Sequence, residues 1–187
     1  MEEVARLARE LGFDGVDINM GCPDKGVEKQ KAGAALIKTP LLAKELIRAA
    51  KRGAGTLPVS VKTRIGYNKN ELETWIPALL EEKPAALTIH ARTRKEMSKV
   101  PARWDHVKRV VELRNQLSPE TLIIGNGDAL SIADARKKIE MSGADGVMLG
   151  RAIFGNPWMF AEKIPTLSEK FSALLEHTKF FSELLGD

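Results

Sequence analysis

The sequence predicts an α/β chain forming part of a (β/α)8 TIM barrel, with about five βα units present. Three observations carry this expectation. Apolar runs of strand length recur at 15–19 (GVDIN), 57–62 (LPVSVK), 85–90 (AALTIH), 121–126 (TLIIGN) and 146–150 (GVMLG). Amphipathic helical patterns separate them, best developed at 41–52, 71–82, 104–117 and 131–141. Every run also ends on its C-terminal side in a polar or reactive group: Asn19 and Cys22, Lys62 and Arg64, His90 and Arg92, Asn126 and Asp128, Gly150 and Arg151. A doubly wound sheet concentrates chemistry at one switch point, whereas a barrel brings all strand ends to one mouth, so five polar ends out of five favour the barrel.

The nearly continuous apolar runs are those expected of strands buried on both faces of a parallel sheet. The alternation of strand and helix suits right-handed βαβ crossovers. The chain opens on a charged helical pattern, MEEVARLARE, and GVDIN then runs into a Gly-Cys-Pro corner. Pro23 cannot donate a backbone hydrogen bond and holds a turn directly after the strand. The third run is followed by a loop rich in Arg and Lys, with Arg92, Arg94, Lys95, Lys99 and Arg103. Ser131 precedes a helix with Asp134 in its first turn, and Gly143 sits just past its end, a matched pair of caps. Beyond Gly150 lie a short apolar cluster, IFGNPWMF, and one more amphipathic helix at 167–185.

Composition narrows the function classes. At 187 residues and 43% hydrophobic content the chain can build one good core or part of a larger domain. No apolar run approaches the roughly 18 residues of a membrane span, and the charged opening is unlike a secretory leader, so a soluble cytoplasmic protein is expected. One cysteine cannot form an internal disulfide, and three scattered histidines (His90, His106, His177) show no metal-ligand spacing, so no metal is expected. The net charge of +4 permits a polyanionic partner without demanding one.

Several residues carry chemistry. Cys22, at a strand end, suits a nucleophile or an acid giving a proton to carbon, although a lone Cys is also often a small buried hydrophobe, and no His base for it is identifiable. Lys62 closes an apolar run, where an unpaired ammonium costs several kcal/mol, so it wants either a ligand or an internal ion pair with Asp17. His90 is either a satisfied structural residue or a ligand-binding one. Glycines in GNGD (125–128) and GADGVMLGR (143–151) allow backbone amides to approach a ligand after the last two strands, the usual phosphate site of barrels. Arg151 adds a charge-assisted contact, and the pair of turns points to a phosphate-bearing cofactor.

The ordered set DINMGCP, VKTR, TIHARTR, GNGD and GADGVMLGRAIFGNPWMF resembles the tRNA-dihydrouridine synthases, flavoenzymes that reduce uridine in tRNA. The resemblance implies FMN as cofactor and NADPH as its reductant. It implies that Cys22 protonates C5 of the uracil while hydride reaches C6 from the flavin; an unperturbed thiol is protonated at pH 7 and can serve as that acid. It makes Lys62 and His90 flavin contacts, Asn126, Gly127 and Asp128 the ribityl and phosphate loop, and Gly150 with Arg151 the phosphate grip. Asn19 and Arg64 fall near the target base. Arg92 and Arg94, with Lys95, Lys99 and Arg103, are candidate contacts to tRNA, the alternative being a solvated charged loop.

The resemblance also implies departures. Members carry three βα units before the cysteine motif, so the five units here are the C-terminal ones and the first three are missing. Residues 1–160 would then be a partial FMN-binding barrel, and 161–187 the start of a C-terminal helical region. Met97 stands near where many members place an aromatic. A five-strand arc leaves two open edges, which invites a complementing N-terminal piece or self-association. Two other readings are another FMN-dependent barrel reductase acting on a small molecule, and a catalytically inactive RNA-binding fragment.

Overall fold

The structure is a computed structural model, and residues 1–186 are described. The chain divides into two compact units, Met1–Ala152 and Ile153–Asp187.

In the first unit the elements run α1 (Glu2–Glu10), β1 (Val16–Met20), α2 (Lys25–Lys29), a 3-10 segment (Gly33–Lys38), α3 (Pro40–Ala54), β2 (Val59–Arg64), α4 (Leu72–Leu80), β3 (Ala86–His90), α5 (Trp104–Leu117), β4 (Leu122–Asn126), α6 (Ile132–Ser142) and β5 (Gly146–Met148). All five strands form one parallel sheet in the order β1-β2-β3-β4-β5. Sequential order with helical crossovers of one hand keeps every crossover helix on the same face, the arrangement of a (β/α)8 barrel wall. Caps close the helices as the sequence suggests: the Ser131 side chain accepts from Asp134 N, and Gly143 ends α6 in the left-handed conformation at φ 71°.

The core lies between the sheet and its helices. Ile18, Met20, Val59, Val61, Leu87, Ile89 and Ile123 point toward Ala43, Ile47, Trp75, Ile76, Leu79, Val107 and Val110, all buried. Trp75 is the largest of the fully buried side chains, and its indole N–H donates to Thr63 Oγ1 at 3.0 Å, so its one polar handle is satisfied. The opposite sheet face corrects one expectation. The strands are not buried on both sides: that face carries Asp17, Asn19, Ser60, Lys62, His90 and Asn126, each partly or fully exposed. The alternation was masked in the sequence because Ile, Val and Gly flank these polar positions closely, yet period-2 geometry sends them to the other side.

Two edges remain. Among the described residues β1 hydrogen-bonds only to β2, and β5 only to β4. The second unit consists of a 3-10 turn (Met159–Ala161) and α7 (Leu167–Leu185), which opens on a capping box between Thr166 and Glu169. Phe171, Leu174, Leu175, Phe180, Phe181, Leu184 and Leu185 of α7 are exposed.

Candidate active site

The sheet register assembles the candidate residues. Arg64, His90, Asn126 and Met148 stand opposite one another across β2 to β5, and Asn19 stands opposite Lys62 between β1 and β2. One row of strand ends therefore holds residues drawn from widely separated parts of the sequence.

Cys22 follows β1 at a corner held from several sides. Asn19 Oδ1 accepts from both Gly21 N and Cys22 N at 3.0 Å. This is an Asx turn, and its signal in the sequence is an Asn two and three residues before the bonded amides. The Cys22 carbonyl accepts from Ala34 N at 2.9 Å. Gly33 makes that approach possible, since its φ of 59° is left-handed and an added Cβ would stand 2.7 Å from Cys22 O. The thiol itself is partly exposed.

Arg64 is 7% exposed and sits behind this corner. Its Nε donates to Gly21 O at 2.8 Å, and one terminal nitrogen donates to Thr93 O and Met97 O, each at 3.1 Å. It thus ties the cysteine loop to the loop after β3. A second tie runs through Arg94, whose Nε donates to Glu28 Oε1 at 2.8 Å and whose guanidinium lies 5.3 Å from the Tyr67 ring. Lys38 covers the same ring at 4.3 Å.

A cavity of about 500 Å³ opens at the C-terminal ends of β3, β4 and β5, lined by His90, Arg92, Asn126, Asp128, Gly150 and Arg151 among others. Three expectations meet a different geometry. Lys62 forms no ion pair with Asp17; the Asp17 carboxylate accepts from Ser60 Oγ at 2.6 Å instead. Lys62 has no hydrogen-bond or ion-pair partner among the described residues, and burial pulls its ammonium below the usual lysine range. Arg92 is no surface loop cation. It is 3% exposed and donates through Nε to Val100 O at 2.5 Å, while its terminal nitrogens reach Asp128 Oδ2 and, at 3.1 Å, His90 Nε2. Arg94 is likewise committed, to Glu28, which leaves Lys95 and Lys99 as the exposed cations of that loop without an ion pair among the described residues.

Asp128 and the glycines before it serve packing as well. The Asp128 carboxylate accepts from Ala102 N at 2.8 Å and faces Arg151 at 3.3 Å, and the Arg92 guanidinium holds it below its ordinary range. A Cβ on Gly125 would lie 2.3 Å from the Trp104 ring, and one on Gly127 would lie 2.8 Å from Ala102 Cβ. These glycines make room for protein atoms. Gly150 is the contrast: nothing lies within 4 Å of its would-be Cβ, and it lines the cavity with its backbone open. Asn126 spends its amide on Met148 O at 2.8 Å, joining β4 to β5.

His90 is the most perturbed group. Burial, then the positive charges of Arg64, Lys62 and Arg92, lower it to about 3, so the ring is neutral at pH 7. The site therefore offers one unpartnered cation, one neutral imidazole, an open glycine backbone with the exposed guanidinium of Arg151, and a restrained thiol. That set can hold an anionic or carbonyl-bearing ligand and supply one proton. Among the described residues no cluster of His, Cys, Asp or Glu could hold a metal ion, and no helix is long and apolar enough to cross a membrane.

Comparison with known proteins bears on this arrangement. The family model for dihydrouridine synthase (Dus) matches residues 1–185. A Staphylococcus aureus (strain MRSA252) protein named "Probable tRNA-dihydrouridine synthase" is 45% identical over 193 residues, covering 100% of this chain and 57% of that protein. A Bacillus subtilis (strain 168) protein named "Probable tRNA-dihydrouridine synthase 2" is 49% identical over 157 residues, covering 83% of this chain and 47% of its own length. The chain spans about half the length of these curated relatives. Among solved structures, a 2,3-dimethylmalate lyase of the PEP mutase/isocitrate lyase superfamily aligns over 100% of this chain and 78% of its own with a TM-score of 0.58 at 14% identity, a likeness of fold alone.

Proposed function

The chain belongs to the dihydrouridine synthase family, and from that membership we propose that it is the flavin-holding and proton-donating part of an enzyme that reduces uridine in tRNA to 5,6-dihydrouridine. The observation that carries this reading is Lys62, a partly buried cation with no protein acceptor among the described residues, which lies close enough to interact with both the Cys22 thiol and His90 of the cavity wall.

FMN suits the residues present. An unpartnered, partly buried ammonium requires an acceptor such as a flavin carbonyl, and Lys62 is such a group. Gly150 and Arg151 would hold the phosphate, the first by an open backbone and the second by a guanidinium already 70% exposed. His90 and the Asn126–Asp128 loop would line the rest. Reduced FMN, when bound, supplies hydride to C6 of the base and is restored by NADPH.

The chain's own residues do the remainder. Cys22 gives its proton to C5 from a corner that Asn19 and Arg64 hold still, which keeps the thiol from swinging out of reach. Lys62 and Arg64 lie close enough to interact with the Cys22 sulfur. A uridine has to leave its stack to reach this corner, and phosphate contacts elsewhere on the tRNA offset that cost. With Arg92 and Arg94 engaged internally, Lys95 and Lys99 are the better candidates from this loop. Because the relatives are about twice as long, the remaining strands of a closed barrel would come from a further segment pairing at the open edges of β1 and β5.

The test is direct. FMN added to the purified chain should bind with an altered flavin absorption band. Cys22→Ala in the complete protein should keep that band and lose formation of dihydrouridine in tRNA with NADPH. Turnover retained by the Ala variant would remove Cys22 as the acid, and a chain that binds tRNA in a salt-dependent way but no FMN would support an RNA-binding module instead.

A further inference from the structure

Arg92 lies one residue beyond β3 and the intervening Ala91, yet its side chain turns back so that one terminal nitrogen stands 3.1 Å from His90 Nε2. A guanidinium has only donors, so this contact is a hydrogen bond only if Nε2 is the acceptor and the ring proton sits on Nδ1. Arg92 cannot turn away, because Nε is bound to Val100 O and the other terminal nitrogen is bound to Asp128. Asp128 is itself fixed by Ala102 N. Gly127 passes beside the Nε2 edge of the His90 ring, where a Cβ would stand 3.1 Å from Cδ2 and 3.4 Å from Nε2.

The other ring edge is different. His90 Nδ1 has no partner among the described residues, whereas no buried side-chain nitrogen or oxygen lacks one, so Nδ1 reaches open space. The open space that His90 lines is the 500 Å³ cavity. We infer that Arg92 and Asp128 are positioning residues that lock His90 into the neutral Nδ1–H form, giving the cavity a permanent hydrogen-bond donor for an acceptor atom of the bound ring. That this ring is a flavin rests on the reading proposed above; the lock does not.

The charged groups around His90 all act in one direction or are already spent. Lys62 and Arg64 on β2 and Arg92 after β3 oppose a second proton on the ring, and Asp128 after β4 is occupied by Arg92 and faces Arg151. An imidazolium would face Arg92 donor to donor.

A long-range proton–nitrogen correlation spectrum of the labelled, ligand-free chain tests this, with His90→Asn identifying the His90 signals. The unprotonated nitrogen should couple strongly to both ring protons, which marks it as Nε2, and this should persist unchanged from about pH 8 to about pH 5. Strong coupling to a single ring proton, or titration near the ordinary value of about 6.5, would overturn the inference. Arg92→Lys keeps a donor and should preserve the pattern; Arg92→Met should give mixed tautomers and a ring that titrates at least about one unit higher than in the parent. If the Met variant fails to fold, the parent and Lys spectra still decide. Added FMN separates the two readings. Arg92→Met should weaken its binding roughly five- to tenfold, the worth of about one hydrogen bond, with Lys recovering most of it. Equal weakening by both would deny the positioning role. The expected spectrum in a chain that binds no FMN would count against the flavin reading and leave the tautomer lock standing.

Discussion

Arg64 Nε donates to the carbonyl of Gly21 at 2.8 Å, so a buried cation on β2 grips the residue immediately before Cys22. The same side chain holds Thr93 O and Met97 O, and the cysteine corner and the loop after β3 therefore move together or not at all.

Replacing Arg64 with Met should strand three carbonyls. At about 1 kcal/mol each this is a loss of about 3 kcal/mol, or roughly 6–12 °C in melting temperature for a chain of this size. Cys22 should also become several-fold more reactive toward a thiol-modifying reagent. Calorimetry and modification kinetics check the two effects. A variant that melts lower while its Cys22 reacts at the parental rate would show that Arg64 supports the fold but not the corner.

The two glycine turns should separate cleanly by substitution. Gly125→Ala forces a methyl group against Trp104, whose indole is anchored to Gly127 O at 2.9 Å, and overpacking of this kind costs about 1–3 kcal/mol. Gly150→Ala meets no protein atom and should leave stability within about 0.5 kcal/mol. Urea denaturation of the pair is the check, and equal losses would contradict the packing seen here.

Stability should fall as acid is added, with His90 responsible for much of the slope. Its folded value of about 3 lies below the ordinary 6.5, so between these two pH values the unfolded chain binds a proton that the folded chain refuses. The stabilisation is complete above about pH 6.5 and is lost progressively toward about pH 3. Denaturation midpoints measured across this window should decline in the parent and decline less in His90→Asn. Parallel slopes would mean that His90 titrates normally in the fold.

Lys62→Met should move stability and binding in opposite directions. Removing a desolvated cation with no protein partner is expected to raise the stability of the ligand-free chain by about 1 kcal/mol. FMN binding should weaken roughly tenfold or more, since a charge-assisted contact is lost. Thermal melting without ligand and fluorescence titration with FMN read the two arms; a destabilised variant with intact binding would assign Lys62 to the framework.

Periodicity, turn chemistry and motif order determined a good deal about this protein without coordinates: five parallel strands, their intervening helices, the caps at Ser131 and Gly143, and the family that DINMGCP and GADGVMLGR point to. These properties are local, and a strand or cap is specified by residues within a few positions of one another. The tertiary structure alone decided how the polar residues are used. Lys62 forms no pair with Asp17, whose carboxylate accepts from Ser60, Arg92 leaves the surface to join His90 to Asp128, and Gly125 makes room for Trp104. Each outcome depends on which side chains the sheet register and the loop paths bring within about 3 Å, and a hydrogen bond is made or lost over distances far smaller than any sequence pattern resolves.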